Sequence, residues 1–164
     1  MLSFLKPTVY IQISAERVTV KNVKSGASLS EVPEIAFTTG GKTTVLGIGN
    51  QARQAAVAQS AHAQVLNPFA HPRTLVSDFT TAQALLKAMV RQVLGQSLLA
   101  LSPSVVIHPL GSPAGGFTEV ENRAFREMAL GAGASQAWVW NGRPLTDQEV
   151  LSQSFPLAEG RLAG

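Results

Sequence analysis

Apolar residues alternate from Thr8 to Val23. Val9, Ile11 and Ile13 fall on one side of an extended chain, and Val18, Val20 and Val23 follow after the polar Ser14-Ala15-Glu16-Arg17. A period of two with a polar break predicts a β-hairpin. Ile35-Ala36-Phe37-Thr38, just after Pro33, reads as a third strand, and Gly40-Gly41 turns the chain into Thr43-Thr44-Val45-Leu46. The chain thus opens as an antiparallel meander.

The period then changes. Asn50 is the expected N-cap of a helix from Gln51 to about Gln59, and a loop holding Asn67-Pro68 and His71-Pro72 leads to Thr74-Leu75-Val76. Leu85, Leu86, Met89, Val90, Val93 and Leu94 recur at three and four residues, which predicts a helix starting at Thr80 or Thr81 and ending at Gly95. Ser104-Val105-Val106-Ile107-His108 has the unbroken apolar character of a strand buried on both faces. Thr118 followed by Glu121 makes a capping box for a helix through Val120, Ala124, Phe125 and Met128 that should stop at Gly131. Ala137-Trp138-Val139-Trp140 is a last strand, and a short helix begins at Thr146. An antiparallel three-strand opening followed by alternating helices and parallel strands predicts a mixed α/β sheet of ribonuclease-H-like type. The expected boundaries are an N-terminal stub over 1–7, one folded unit over 8–153 and a loose tail over 154–164.

Composition sharpens this picture in two places. Hydrophobic residues form 45% of the 164 positions and charged residues 14%, unusually apolar for a domain of this size. Apolar surface left for a partner is the expected consequence. The chain has no cysteine, which removes disulfides and thiolate metal sites. The net charge is +3, and no acid lies between Glu34 and Asp78 while Lys42, Arg53 and Arg73 do, a pattern compatible with an anionic membrane surface or with an ordinary solvated face. No run of 18 apolar residues occurs to span a bilayer, and the start is too short in its apolar core for a secretory signal. Phe4 and Leu5 beside Lys6 suit a peripheral membrane contact instead.

The motifs that promise chemistry do not complete. Gly40-Gly41-Lys42-Thr43 lacks the upstream glycine of a P-loop, since Ala36 stands there, and a strand follows it rather than a helix. Gly47-Ile48-Gly49-Asn50-Gln51-Ala52 matches a dinucleotide fingerprint but lacks the acid about 20 residues on. His62, His71 and His108 have no metal-ligand spacing, no serine sits in a nucleophile elbow, and the few aromatics are not interleaved with basic residues as a nucleic-acid platform requires. Catalytic residues, metal ligands and nucleic-acid contacts are therefore not expected.

One stretch carries a family signature. Gly116-Phe117-Thr118-Glu119-Val120-Glu121-Asn122-Arg123-Ala124-Phe125-Arg126-Glu127-Met128-Ala129-Leu130-Gly131-Ala132-Gly133-Ala134 resembles the pattern G-x-T-x-V-E-x-R-A-x-R-E-x-A-x-G-A-G-A of the MreB family of bacterial actin-like, rod-shape-determining proteins. Gly47 to Ala52 is similar to that family's V-G-x-x-A, and Asn67-Pro68 through Ser77-Asp78-Phe79 to its R-P-M-x-x-G-V-I-A-D-F. The likeness runs along nearly the whole chain, to the family's N-terminal part. It implies an actin-like subdomain in a cytoplasmic filament system at the inner face of the membrane, with a role in cell shape.

The departures from the family bear on mechanism. Its first phosphate loop reads I-D-L-G-T-x-N-T, and the matching segment here is Ile11-Gln12-Ile13-Ser14-Ala15-Glu16-Arg17. Gln12 lacks the charge that magnesium favours, Ser14 narrows the space for a phosphate beside Ala15, and Glu16 repels one. The family's E-E-P, whose glutamate positions the attacking water, is replaced by Trp140-Asn141-Gly142-Arg143-Pro144. Neither ATP hydrolysis nor appreciable ATP or magnesium binding is expected. The resemblance then implies a binding partner of actin-like filaments, pairing with MreB or with itself; the alternative is a degenerate ATP-binding relative that completes its cleft by dimerisation. Trp138 and Trp140 alternate with Val139, so both should share one strand face, either as core or as a partner-facing patch. With Phe4 and Leu5 they are the candidate interaction residues.

Overall fold

A computed structural model describes residues 5–59, 62–71, 73–111 and 113–163. Among these residues nine strands form two sheets. The larger has six strands and the smaller three.

The opening hairpin forms as its alternation requires. Strands β1 (Thr8–Ile13) and β2 (Val18–Asn22) pair antiparallel from Val9↔Asn22 to Ile13↔Val18. The meander's third strand is β3 (Ser28–Glu31), which pairs with β2. The expected third strand, β4 (Ile35–Thr38), instead founds the small sheet with β5 (Val45–Ile48) and β6 (Ala63–Leu66). Ser-Leu-Ser-Glu gave no apolar signal because β3 is an edge strand, of which Leu29 is the one residue packed on the core.

Parallel strands follow. β7 (Ser104–Pro109) lies beside β1 with Ile11 opposite Ile107, and β8 (Gln136–Gly142) lies beside β7 with Val105 opposite Ala137. Every residue of β7 is buried, as its continuous apolar run predicts. The tail is not loose. β9 (Gly160–Ala163) returns antiparallel to β8, pairing Trp140 with Leu162 and Asn141 with Arg161.

Helices flank both sheets. A 3₁₀ turn at Gly49–Gln51 leads into α1 (Ala52–Gln59) beside the small sheet, and Asn50 is not its cap; the Asn50 N–H donates to the Glu31 carboxylate at 2.9 Å. The long α2 (Phe79–Leu99) is capped by Asp78, which accepts from the Thr81 N–H. Gly95 breaks its run with φ +72°, so the expected stop marks a kink. α3 (Glu119–Gly131) has the full Thr118/Glu121 capping box, and the short α4 (Asp147–Ser152) carries a second one between Thr146 and Glu149.

The pleat splits the core in two. Val9, Ile11, Ile13, Val105, Ile107 and Val139 meet Leu85, Leu86, Met89, Phe125 and Met128 of α2 and α3. On the opposite face Tyr10, Val106 and Trp140 meet Leu145 and Val150 around α4. Burying a side chain of this size is worth about 1.5–3 kcal/mol, so the helix face carries most of the stability.

Candidate functional site

The segment Ser14–Arg17 lies at the tip of the β1–β2 hairpin, at the carboxyl end of β1. That end of a central parallel strand is where α/β sheets bind ligands. Here the tip closes on itself. The Ser14 N–H donates to the Arg17 carbonyl at 2.9 Å, and the Ser14 hydroxyl donates to the same carbonyl at 3.2 Å. The hydroxyl oxygen in turn accepts from the N–H groups of Glu16 (3.3 Å) and Arg17 (3.1 Å). Asn67 holds the Ala15 carbonyl at 2.9 Å, and the Arg17 guanidinium donates to the Ser30 carbonyl and hydroxyl. The N–H groups of Ser14, Glu16 and Arg17, which could cradle a phosphate, are therefore engaged within the turn, and the Glu16 side chain is exposed at its tip. Gln12 shares a face with Tyr10 and is partly buried.

A polar network spans the sheet beneath this tip. The Tyr10 hydroxyl lies 2.7 Å from His108 Nδ1, and the two rings stack at 5.9 Å. The same hydroxyl accepts the Leu145 N–H at 3.1 Å, which turns its proton toward His108. Nδ1 of His108 is then the acceptor, and Nε2–H donates to the Gly142 carbonyl at 2.9 Å. His108 is 1% exposed, so the neutral ring fits and the charged one does not. Burial pulls its pKa below 6.5, partly opposed by the bond to Gly142. Burial likewise raises the Tyr10 pKa.

The positions before Pro144 hold the packing of the chain end. Gly142 offers no side chain, and a Cβ there would come 2.7 Å from the Trp140 ring. Arg143 forks onto Glu149 (2.8 and 3.0 Å), donates to Glu159 at 2.7 Å and reaches the Pro144 carbonyl, tying α4 and the turn before β9 to the end of β8. The guanidinium and the Thr146 N–H hold the Glu149 carboxyl down to about 2, and the two carboxylates raise the Arg143 pKa.

The candidate interaction residues separate. Trp138 and Trp140 do share a face, but Trp140 is 0% exposed, stacks on Phe155 at 5.8 Å and donates Nε1–H to the Arg143 carbonyl at 2.8 Å. It is core, because the tail after α4 folds back over it, and it offers no surface to a partner. Trp138 is half-buried, tilted against the same Phe155. Leu5 is 60% exposed, and Phe4 lies outside the described residues. Among the described residues no helix is long and apolar enough to cross a membrane, and no three His, Asp or Glu side chains group as metal ligands.

Sequence reasoning missed the Tyr10–His108 pair, 98 residues apart, whose only trace is a histidine ending an apolar strand. It also missed an open cleft beside Asn141 and Arg161, since β9 was not expected.

Solved structures share this architecture. MreB5 of Spiroplasma citri bound to AMPPNP superimposes with a TM-score of 0.63 at 17% identity, covering 82% of this chain and 38% of that one. The same protein bound to ADP gives 0.61 at 17% identity, over 82% and 37%. The chain thus spans well under half the length of these neighbours. Among curated protein sequences none matches it. The pattern of the MreB/Mbl protein family matches residues 7–144, most of the chain, and this protein belongs to that family.

Proposed function

We propose that this chain is an MreB-like cell-shape protein without a working ATP site, which acts by binding an actin-like subunit, MreB or a second copy of itself, rather than by hydrolysis. The observation that carries the reading is the closed Ser14–Arg17 turn, in which the Ser14 hydroxyl and the Arg17 carbonyl occupy amides that a phosphate would need. The use of Arg143 as a structural clamp and the crowding at Gly142 support it, because no acid stands there to orient water. The protein then works in the cytoplasm at the inner face of the membrane, where the exposed Leu5 beside Lys6 makes a peripheral contact.

The test is a thermal melt with ATP and magnesium. A ligand at 100 times its dissociation constant adds about 2.7 kcal/mol to the native state. A flat response is expected, together with recovery of an actin-like protein on tagged bait from the host. A clear upward shift with nucleotide overturns the reading, and one accompanied by self-association establishes the rival, a cleft completed by two chains.

A further inference from the structure

Beside the end of β8 lies an open cleft of about 380 Å³. Its walls include Gly115, Gly116 and Phe117 ahead of α3, Asn122 on α3, and Asn141 and Arg161 on the paired strands β8 and β9. Asn141 follows Trp140 on the strand and points to the other face, toward α3, where its Nδ2–H donates to Asn122 Oδ1 at 3.2 Å. Its own Oδ1 is buried without a partner among the described residues. Turning both amides over exchanges the atoms and still leaves one buried polar atom of Asn141 unmatched. Such groups are rare in folded proteins.

Arg161 stands directly across from Asn141, on the same side of the sheet. Its side chain is exposed, with no hydrogen bond or ion pair to the described residues. Gly115 and Gly116 add bare backbone, with nothing within 4 Å of where a Cβ would stand. A free guanidinium, an unmatched amide and uncovered backbone thus meet in one cleft whose apolar wall is Phe117.

We propose that this cleft binds a small carboxylate with an adjacent amide N–H, the chemistry shared by an N-acylated amino acid and by the last residue of a peptide. Arg161 takes the carboxylate as a forked pair. Oδ1 of Asn141 is closed to solvent in the free protein, so binding turns the amide about its soft terminal torsion, exchanging its hydrogen bond to Asn122 for one from the ligand N–H to Oδ1. The acyl group or side chain lies along Phe117. Gly142, which matches the position of the family's acid, also lines the cleft, but the ester, N-methyl and R161Q comparisons read this inference alone, so it and the proposed function fail distinguishably.

The experiment is a ¹⁵N-edited NMR titration of the full chain with N-acetylalanine, reading the Asn141 side-chain amide and the backbone amides of Gly115 and Gly116. Saturable shifts at these groups are expected. They weaken by about tenfold or more with the methyl ester of the probe, with its N-methyl analogue and with R161Q, whose spectrum elsewhere reports its fold. Tighter binding of acetyl-diglycyl-alanine than of N-acetylalanine assigns the site to a peptide end, and the reverse order to a free small molecule. Failure to saturate in the tens of millimolar, equal binding of the methyl ester, or an unchanged R161Q overturns the proposal.

Discussion

The ring of Trp140 lies against Gly142, two residues along the same strand, so closely that a Cβ at position 142 would sit 2.7 Å from the ring carbon Cζ2. The same Cβ would meet the Glu159 carbonyl and the Gly160 α-carbon at 2.7 Å, and one at Gly160 would meet the indole at 2.3 Å. β8 and β9 can therefore pair over the indole only because both positions are glycine. The end of β8 is thus packed on a core tryptophan.

This packing predicts the outcome of restoring bulk. Gly142→Ala should destabilise the fold by about 1–3 kcal/mol, the usual cost of overpacking, measured by urea unfolding. In a Trp140→Leu background the same change should cost less, since the indole no longer opposes it and neighbouring sites couple. Equal penalties in both backgrounds would place the constraint on the β9 backbone alone. Gly142→Glu should lose at least as much stability as Gly142→Ala and gain no ATP turnover.

Stability should also depend on pH through His108. Its pKa is lowered in the folded protein, so below about 6.5 the unfolded chain binds a proton that the folded chain refuses. The contribution is complete above 6.5 and declines as pH falls from there toward the lower folded value. Urea midpoints measured across that interval should drop for the native protein and flatten in His108→Gln. Tyr10→Phe, which strands the Leu145 N–H and Nδ1 of His108, should cost about 1–3 kcal/mol near neutral pH.

What the sequence made legible is what local physics determines. Thr118 and Glu121 are three residues apart and make their capping box whatever surrounds them, and the apolar runs of β1 and β7 admit no exposed strand. That Gln12 carries no charge was likewise plain, since charge is a property of the residue alone. β3 and β9 were not legible, because an edge strand needs only a neighbour's hydrogen bonds, and Ser28–Glu31 and Gly160–Ala163 hold no alternation to announce it. The burial of Trp140 turned on Phe155, a residue of the supposedly loose tail, and the clamp on Arg143 joins Glu149 and Glu159 through a fold-back that no spacing encodes.

The hairpin tip offers a direct check on its closed geometry. Ser14→Ala removes the acceptor used by the Glu16 and Arg17 amides and should cost about 0.5–1.5 kcal/mol, moderated because water reaches the exposed turn. Ser14→Thr keeps the oxygen and should stay near the native midpoint. Amide hydrogen exchange at Glu16 and Arg17 should quicken in the alanine variant and not in the threonine one; unchanged exchange would mean that the hydroxyl does not hold those amides.

The Arg143 clamp governs the acid limb of stability. With Glu149 held to about 2 against an ordinary 4.5, the folded carboxylate stays ionised where the unfolded one is already protonated. The stabilisation is therefore present above 4.5 and is lost as pH falls from 4.5 toward 2. Arg143→Met should return the Glu149 carboxyl toward the ordinary range, read from its ¹³C side-chain titration, and should shift acid unfolding to higher pH. Lys in place of Arg143 keeps the charge but loses the fork onto Glu149, so its titration should fall between the other two. If Arg143→Met instead left Glu149 near 2, the Thr146 amide and the capping box alone would hold the carboxylate, and the arginine would serve only to bind Glu159 and the turn before β9.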